Sequence, residues 1–319
     1  MAVLSTDLKR AVVVSEGPST FQEAMDDWTA SRPCLEDIAR RLNEGRHSQA
    51  VSTDGLGLMA PLPRAYQWID GSAYVNHVEL VRRARGAPMP GSYWTDPLVY
   101  QGGSDDMLAA NADAAFASED WGIDLEAEVA VIIGDVAMGS TAEDVRVRGD
   151  IRCVMLANDW SLRNIIPKEL AKGFGFLQSK PSTAFSPVAV TLDELGGRWD
   201  GDRLNIAVRV EVNGALLGTP DAGRDMIFGF PELISHCAKT RNLRAGTIVG
   251  SGTISNSNRS TGSACIAEVR SLEQLETGRP ITPFLRYGDR VRIEAVDGAG
   301  VSIFGVIEQR VVPAKIAVP

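Results

Sequence analysis

The clearest alternation of apolar and polar positions runs over residues 124–134, DLEAEVAVIIG. Leu125, Ala127, Val129, Val131 and Ile133 hold one parity; Asp124, Glu126, Glu128, Ala130 and Ile132 hold the other. Period-two alternation with β-branched residues toward the end, closed by Gly134, predicts a strand. Side chains two apart on a strand share a face, about 7 Å apart along the backbone. Glu126 and Glu128 therefore point the same way. Two readings are open: the face is solvated, or the pair is buried and needs a cation or protons to be tolerated. Oxygen ligands alone suit a hard ion such as Mg²⁺ or Ca²⁺.

Upstream, residues 11–14 (AVVV) read as a short strand. Thr20 and Glu23 form a capping-box pattern ahead of Phe21, Ala24, Met25 and Trp28 at helical spacing. A second helix starts at Leu35, with Ile38, Ala39 and Leu42 on one side and Gly45 past its end. The stretch APLPRAY marks a domain boundary. It divides a small N-terminal α+β domain (1–64) from a larger domain (65–319). Asp70-Gly71 closes a strand, and a helix over 73–85 carries His77, seven residues after Asp70, with Arg82, Arg83 and Arg85 behind it. Alone, His77 reads as an ordinary, partly exposed histidine and the arginines as a solvated face. His47 reads as a surface residue. Residues 86–120 form a loop long enough to be functional.

Downstream, residues 142–149 read as a polar connection. The apolar run 153–157 ends in Asn158, Asp159 and Trp160. An acid at a strand end is either a ligand or, equally, the cap of the following SLRNII segment. Arg163 lies four residues on, and LQSKP brings Lys180. A strand over 204–212 leads into an Asn213-Gly214 hairpin signal. A helix spans 231–239, with His236 structural or exposed. GSGTISNS (250–257) is a Gly/Ser/Asn loop, followed by strand-like SACIAEVR, YGDRVRIEAV and VSIFGVIEQRVV. The whole reads as α+β and strand-rich.

With 319 residues, 44% of them hydrophobic, the chain has an ordinary globular composition. Its net charge of −9 argues against nucleic acid or an anionic membrane as partner. An anionic substrate therefore needs a local basic pocket. Four separated cysteines with no CxxC pair read as reduced thiols of a cytoplasmic protein. No apolar run approaches membrane-spanning length.

DLEAEVAVIIG, NDWSLR, the Lys of LQSKP, GSGTIS and the Asp-to-His spacing of IDGSAYVNH occur in an order that resembles the fumarylacetoacetate hydrolase family, over residues 68–312. The resemblance implies a mixed β-roll or β-sandwich catalytic domain, commonly homodimeric, sometimes with a small N-terminal domain. It implies a divalent metal, Mg²⁺, Mn²⁺ or Ca²⁺, on Glu126, Glu128 and Asp159, with Asp70 as a further ligand. It places His77 as the base, Arg163 and Lys180 beside the substrate, and Thr253 near the substrate's far end. The implied activity is hydrolysis of a C–C bond of fumarylacetoacetate or an acylpyruvate, as in tyrosine and other aromatic catabolism. The alternative is a metal-dependent hydratase, decarboxylase or isomerase of 2-oxo acids. A non-catalytic, metal-stabilised binding protein is a third reading, against which His77, Arg163 and Lys180 speak.

The chain departs from the family pattern in three places. Ile266 stands where a Glu orients the His in animal enzymes. Glu268, on the same face of the expected strand, is the substitute. Leu80, beside Glu79, stands where other members carry a Glu. Ile166 or a neighbour replaces a Gln after the NDW motif.

Overall fold

The computed structural model describes residues 1–315. The N-terminal domain is a three-stranded antiparallel sheet, β1 (Ala2–Leu4), β2 (Arg10–Val13) and β3 (Val51–Ser52), covered by α1 (Phe21–Asp26) and α2 (Trp28–Asn43). Thr20 caps α1 by accepting from the Glu23 amide. α2 begins seven residues before the expected Leu35. Asp27 caps it, accepting from the Ala30 amide at 3.2 Å, and the helix runs through Pro33. One internal proline removes a single ladder hydrogen bond, which the packing of Ile38 and Leu42 on β2 outweighs.

The larger domain follows with β4 (Trp68–Gly71), α3 (Val75–Ala84), β5 (Val99–Gln101), β6 (Ala114–Phe116), β7 (Ile123–Asp124) and β8 (Ala127–Ile133). Next come α4 (Ala142–Arg148), β9 (Ile151–Asn158), β10 (Ser161–Leu162), α5 (Ile166–Leu170), β11 (Ala184–Phe185), β12 (Val190–Thr191) and α6 (Leu192–Leu195). β13 (Val208–Val212), β14 (Ala215–Gly218), α7 (Phe230–Cys237), β15 (Ile248–Gly250), α8 (Ile266–Thr277), β16 (Arg290–Ala295) and β17 (Ile307–Pro313) complete it. One sheet has the order β11-β9-β8-β15-β4-β5, with β12 also on β9. A second has the order β14-β13-β16-β17-β6. The result is a strand-rich α+β fold with an added N-terminal domain, as expected.

β8 is buried on both faces. Ala127, Val129, Val131 and Ile133 join the main core with Val208, Ile293 and Ile307 of the second sheet. Ala130 and Ile132 join a smaller core with Trp68, Met155 and Phe185, onto which Met25 of α1 packs. The solvated-face reading of Glu126 and Glu128 therefore fails; they are 4% and 0% exposed. A cavity of about 950 Å³ between the domains is lined by residues such as Arg32, Leu35, Val190 and Ile303, and none of Asp70, Glu126, Glu128 and Asp159 lines it.

Several expected elements differ. Residues 142–149 hold helix α4, not a connection: Thr141 and Asp144 form a capping box and Val145 is buried. The 86–120 loop contains β5 and β6, strands of three residues each, too short for periodicity to reveal. SACIAEVR forms the start of helix α8, not a strand. Asp159 caps no helix; β10 follows it and pairs with β7. No helix among the described residues is long and apolar enough to cross a membrane, and all four cysteines are unpaired.

Candidate active site

Strand registers bring the acids together. β15 pairs parallel to β4 with Gly250 beside Asp70, and antiparallel to β8 with Gly250 beside Ala130. β8 pairs with β9, setting Glu128 opposite Ala157, two residues before Asp159. Carboxylate oxygens of Asp70, Glu128 and Asp159 consequently lie within 4.8 Å of one another, all buried. Both Glu128 oxygens are buried and lack a hydrogen-bond partner among the described residues. Burial and the neighbouring carboxylates push the Asp70 and Glu128 carboxyls well above their ordinary range. An orphaned carboxylate among two others, with oxygen donors only, fits a hard divalent cation.

Glu126 sits apart from that triplet, on basic partners. Arg163 donates to it through Nη2 at 2.7 Å and to Asp124 through Nε at 2.8 Å. Lys180 Nζ donates to Glu126 and, at 2.5 Å, to Asp159. Burial raises the Glu126 carboxyl pKa, but Lys180 and Arg163 overcome it and hold the group below its ordinary range. The same balance runs in reverse for Lys180: burial lowers it, and Asp159 and Glu126 more than restore it. Two of the three Lys180 N–H groups are thus committed, leaving one.

The sequence pattern singles out no residue of the 86–120 loop, yet Tyr100 on β5 belongs here. Its hydroxyl donates to Asp159 at 2.5 Å, and Lys180 lies over its ring at 5.3 Å. Thr183 donates to the other Asp159 oxygen at 2.6 Å. Asp124 was visible only as the first letter of the central motif. It accepts the amides of Ile266 and Ala267 at 2.8 and 2.9 Å, closing the N-terminus of α8 while holding Arg163.

His77 lies on α3, which packs on α8. Its outer edge is partly exposed, but Nδ1 is buried and unpartnered. Burial lowers its pKa to about 4, against the pull of Glu126, with Arg163, Lys180 and Arg85 adding to the drop. Glu268, third residue of α8, offers an oxygen within 4.8 Å of a His77 nitrogen. Ser255 donates to its Oε1 at 2.6 Å, and burial pushes its pKa up to about 7. Glu268 stands near His77 without a hydrogen bond to it, and it is on a helix rather than the expected strand. Leu80 is buried in the core. Among the following arginines, Arg82 is turned to the Pro88 carbonyl and the Tyr93 ring. Arg85, exposed on the rim, is the one whose charge reaches His77 and Arg163. Thr253 is buried in the loop after β15, 5% exposed. Ile166 opens α5, buried.

The fumarylacetoacetate (FAA) hydrolase C-terminal family matches residues 67–312, and the fumarylacetoacetase N-terminal domain 2 family matches residues 1–64. The chain belongs to the fumarylacetoacetate hydrolase family. It is 26% identical over 272 residues to the oxaloacetate tautomerase YisK of Bacillus subtilis, covering 84% of this chain and 79% of that one. In fold it is similar to a probable 2-hydroxyhepta-2,4-diene-1,7-dioate isomerase of Mycobacterium abscessus, with a TM-score of 0.65, 20% identity and 96% of each chain covered. It also resembles a fumarylpyruvate hydrolase of Pseudomonas aeruginosa solved with Mn²⁺ and pyruvate, with a TM-score of 0.56, 16% identity and 78% and 91% of the chains covered.

Proposed function

We propose that this protein is a metal-dependent hydrolase that cleaves a C–C bond of a β-diketo acid, of the fumarylacetoacetate or acylpyruvate type. The observation that carries the reading is the placing of a Glu268 oxygen within 4.8 Å of a His77 nitrogen, where the charges of Glu126, Arg163 and Lys180 also reach the imidazole. A base with its own carboxylate suits activation of water. Asp70, Glu128 and Asp159 would hold Mg²⁺, Mn²⁺ or Ca²⁺, which when bound supplies Lewis-acid polarisation of the two oxo groups, while Arg163 and Lys180 hold Glu126.

The chain's residues supply the rest. His77, neutral at physiological pH, takes a proton from water as its oxygen bonds to the carbonyl carbon. The remaining Lys180 N–H and the Arg163 guanidinium stabilise the developing oxyanion. When the C–C bond breaks, its electron pair leaves with the departing fragment, which regains a proton from the imidazolium. The products are two acids, or an acid and a ketone. Arg85 on the rim answers the substrate carboxylate that a chain of net charge −9 would otherwise repel. Thr253 contacts the far end of the substrate.

The proposal extends to a cytoplasmic homodimer. Free cysteines support the compartment. Phe174 and Leu177, 100% and 81% exposed on the loop after α5, support an interface.

A second reading, tautomerisation or isomerisation of a 2-oxo acid by the same groups, is favoured by the similarity to the Bacillus subtilis tautomerase across most of the chain. Loss of diketone absorbance across fumarylacetoacetate and a panel of acylpyruvates, run beside enol-to-keto conversion of oxaloacetate, tests the choice. Metal-dependent loss of diketone absorbance is expected. Turnover of oxaloacetate alone would overturn the hydrolase reading in favour of the second.

A further inference from the structure

A second set of metal-donor side chains meets beside the acidic cluster. A ring nitrogen of His77, Sγ of Cys265 and a carboxylate oxygen of Glu268 all lie within 4.8 Å of one another. Two donor atoms here, Nδ1 of His77 and Oε2 of Glu268, are buried without a hydrogen-bond partner among the described residues. Glu268 is 2% exposed and Cys265 0%. Buried polar atoms are nearly always satisfied, so two orphans in one pocket call for an occupant.

The surroundings fix these donors without consuming them. Ser255 and Arg259 hold Oε1 of Glu268, at 2.6 and 3.4 Å, leaving Oε2. Such outer contacts orient a metal-binding carboxylate. Cys265 occupies the N-cap position of α8, yet its thiol caps nothing. Asp124 takes the Ile266 and Ala267 amides instead, so the sulfur is free.

We propose that His77, Cys265 and Glu268 form a second metal site, for a borderline-soft divalent cation of the Zn²⁺ type, and that filling it inhibits the enzyme by removing His77 from catalysis. Nitrogen, sulfur and oxygen donors in equal number suit zinc, whereas the all-oxygen cluster suits Mg²⁺ or Mn²⁺. Ligand atoms around tetrahedral zinc stand about 3.3–3.8 Å apart, given bonds of about 2.0–2.3 Å. From separations of up to 4.8 Å the trio needs to close by about 1.5 Å at most, and the fourth position falls to water. Binding releases the thiol proton, and the Glu268 and Cys265 charges then offset that of the cation. The inhibitory half of the proposal rests on the base role given to His77; the binding half does not.

Cobalt(II) separates the two. With the acidic cluster saturated by Mg²⁺, one further equivalent of Co²⁺ should give a thiolate-to-cobalt charge-transfer band in the near ultraviolet, displaced by Zn²⁺. Cys265→Ser, or Cys265→Ala should the first fail to fold, should abolish the band. With turnover followed at saturating Mg²⁺, the same variant should raise the Zn²⁺ concentration needed for inhibition by about 100-fold or more. Absence of the band in the unaltered protein, or its persistence in both variants, overturns the site. A band that Zn²⁺ displaces while turnover is unchanged upholds the site, overturns the inhibition and speaks against His77 as the base.

Discussion

A Cβ added to Gly250 would lie 2.5 Å from Oδ1 of Asp70 and 2.3 Å from the Trp68 ring. Asp70 reaches the acidic cluster because its neighbour across the parallel β4–β15 pairing has no side chain. Gly250→Ala should push Asp70 out of line and weaken Mn²⁺ binding about 10-fold or more. Overpacking against Trp68 should destabilise the fold by about 1–3 kcal/mol. Calorimetric Mn²⁺ titration and thermal unfolding check both; unchanged affinity would show that Asp70 is not a ligand.

Chelation should abolish turnover, and Mg²⁺ or Mn²⁺ should restore it. The metal-free protein carries a pH signature. Burial and mutual repulsion raise Asp70 and Glu128. Their contribution to stability is therefore fully present below the unfolded carboxyl pKa of about 4 and is lost as pH rises through their raised folded values. With chelator, Tm should fall as pH rises from about 4, more steeply than in Glu128→Gln, and added metal should reverse the fall.

His77→Ala should leave Mn²⁺ affinity nearly unchanged and lower kcat by about 10²–10⁴-fold, the usual contribution of a general base. Near-wild-type hydrolysis of every diketone would remove His77 from water activation and raise the tautomerase reading.

Burial pushes the Glu268 carboxyl up to about 7. Between the unfolded glutamate value of about 4.3 and that value, the folded state holds more protons than the unfolded one. Stability should decline across this window as pH rises, and Glu268→Gln should flatten the decline. The kcat profile should rise through pH about 7 as the carboxylate forms beside His77. Retention of that rise in Glu268→Gln would assign it to another group.

Lys180→Ala removes the cation shared by Glu126 and Asp159. Breaking a buried pair in this way should destabilise by about 3–5 kcal/mol. Loss of the oxyanion donor should lower kcat rather than raise KM. A KM effect alone would make Lys180 a substrate-binding residue only.

The local pattern was enough for the α1 cap and for β8, because alternation and capping are short-range properties of the chain, but the structure breaks the expected strand at Leu125 and Glu126, between β7 and β8, and leaves Glu126 outside the strand on which it was expected to share a face with Glu128. The local pattern carried the family motifs for the same short-range reason. Whether that glutamate face met water depended on what packed against it, which no alternation reveals; the second core, built from Trp68, Phe185 and Met25, decided it. The division of labour among the acids was also a tertiary matter. Lys180 and Arg163 arrive from distant segments and claim Glu126, while β15, lying between β4 and β8, puts Asp70 beside Glu128. SACIAEVR has strand-like residues, but Asp124, some 140 residues earlier, accepts its first amides and supplies the helix cap the segment lacks. The helix so capped brings Glu268 and Cys265 near His77, and a cap reaching across the fold leaves no trace in the sequence beside it.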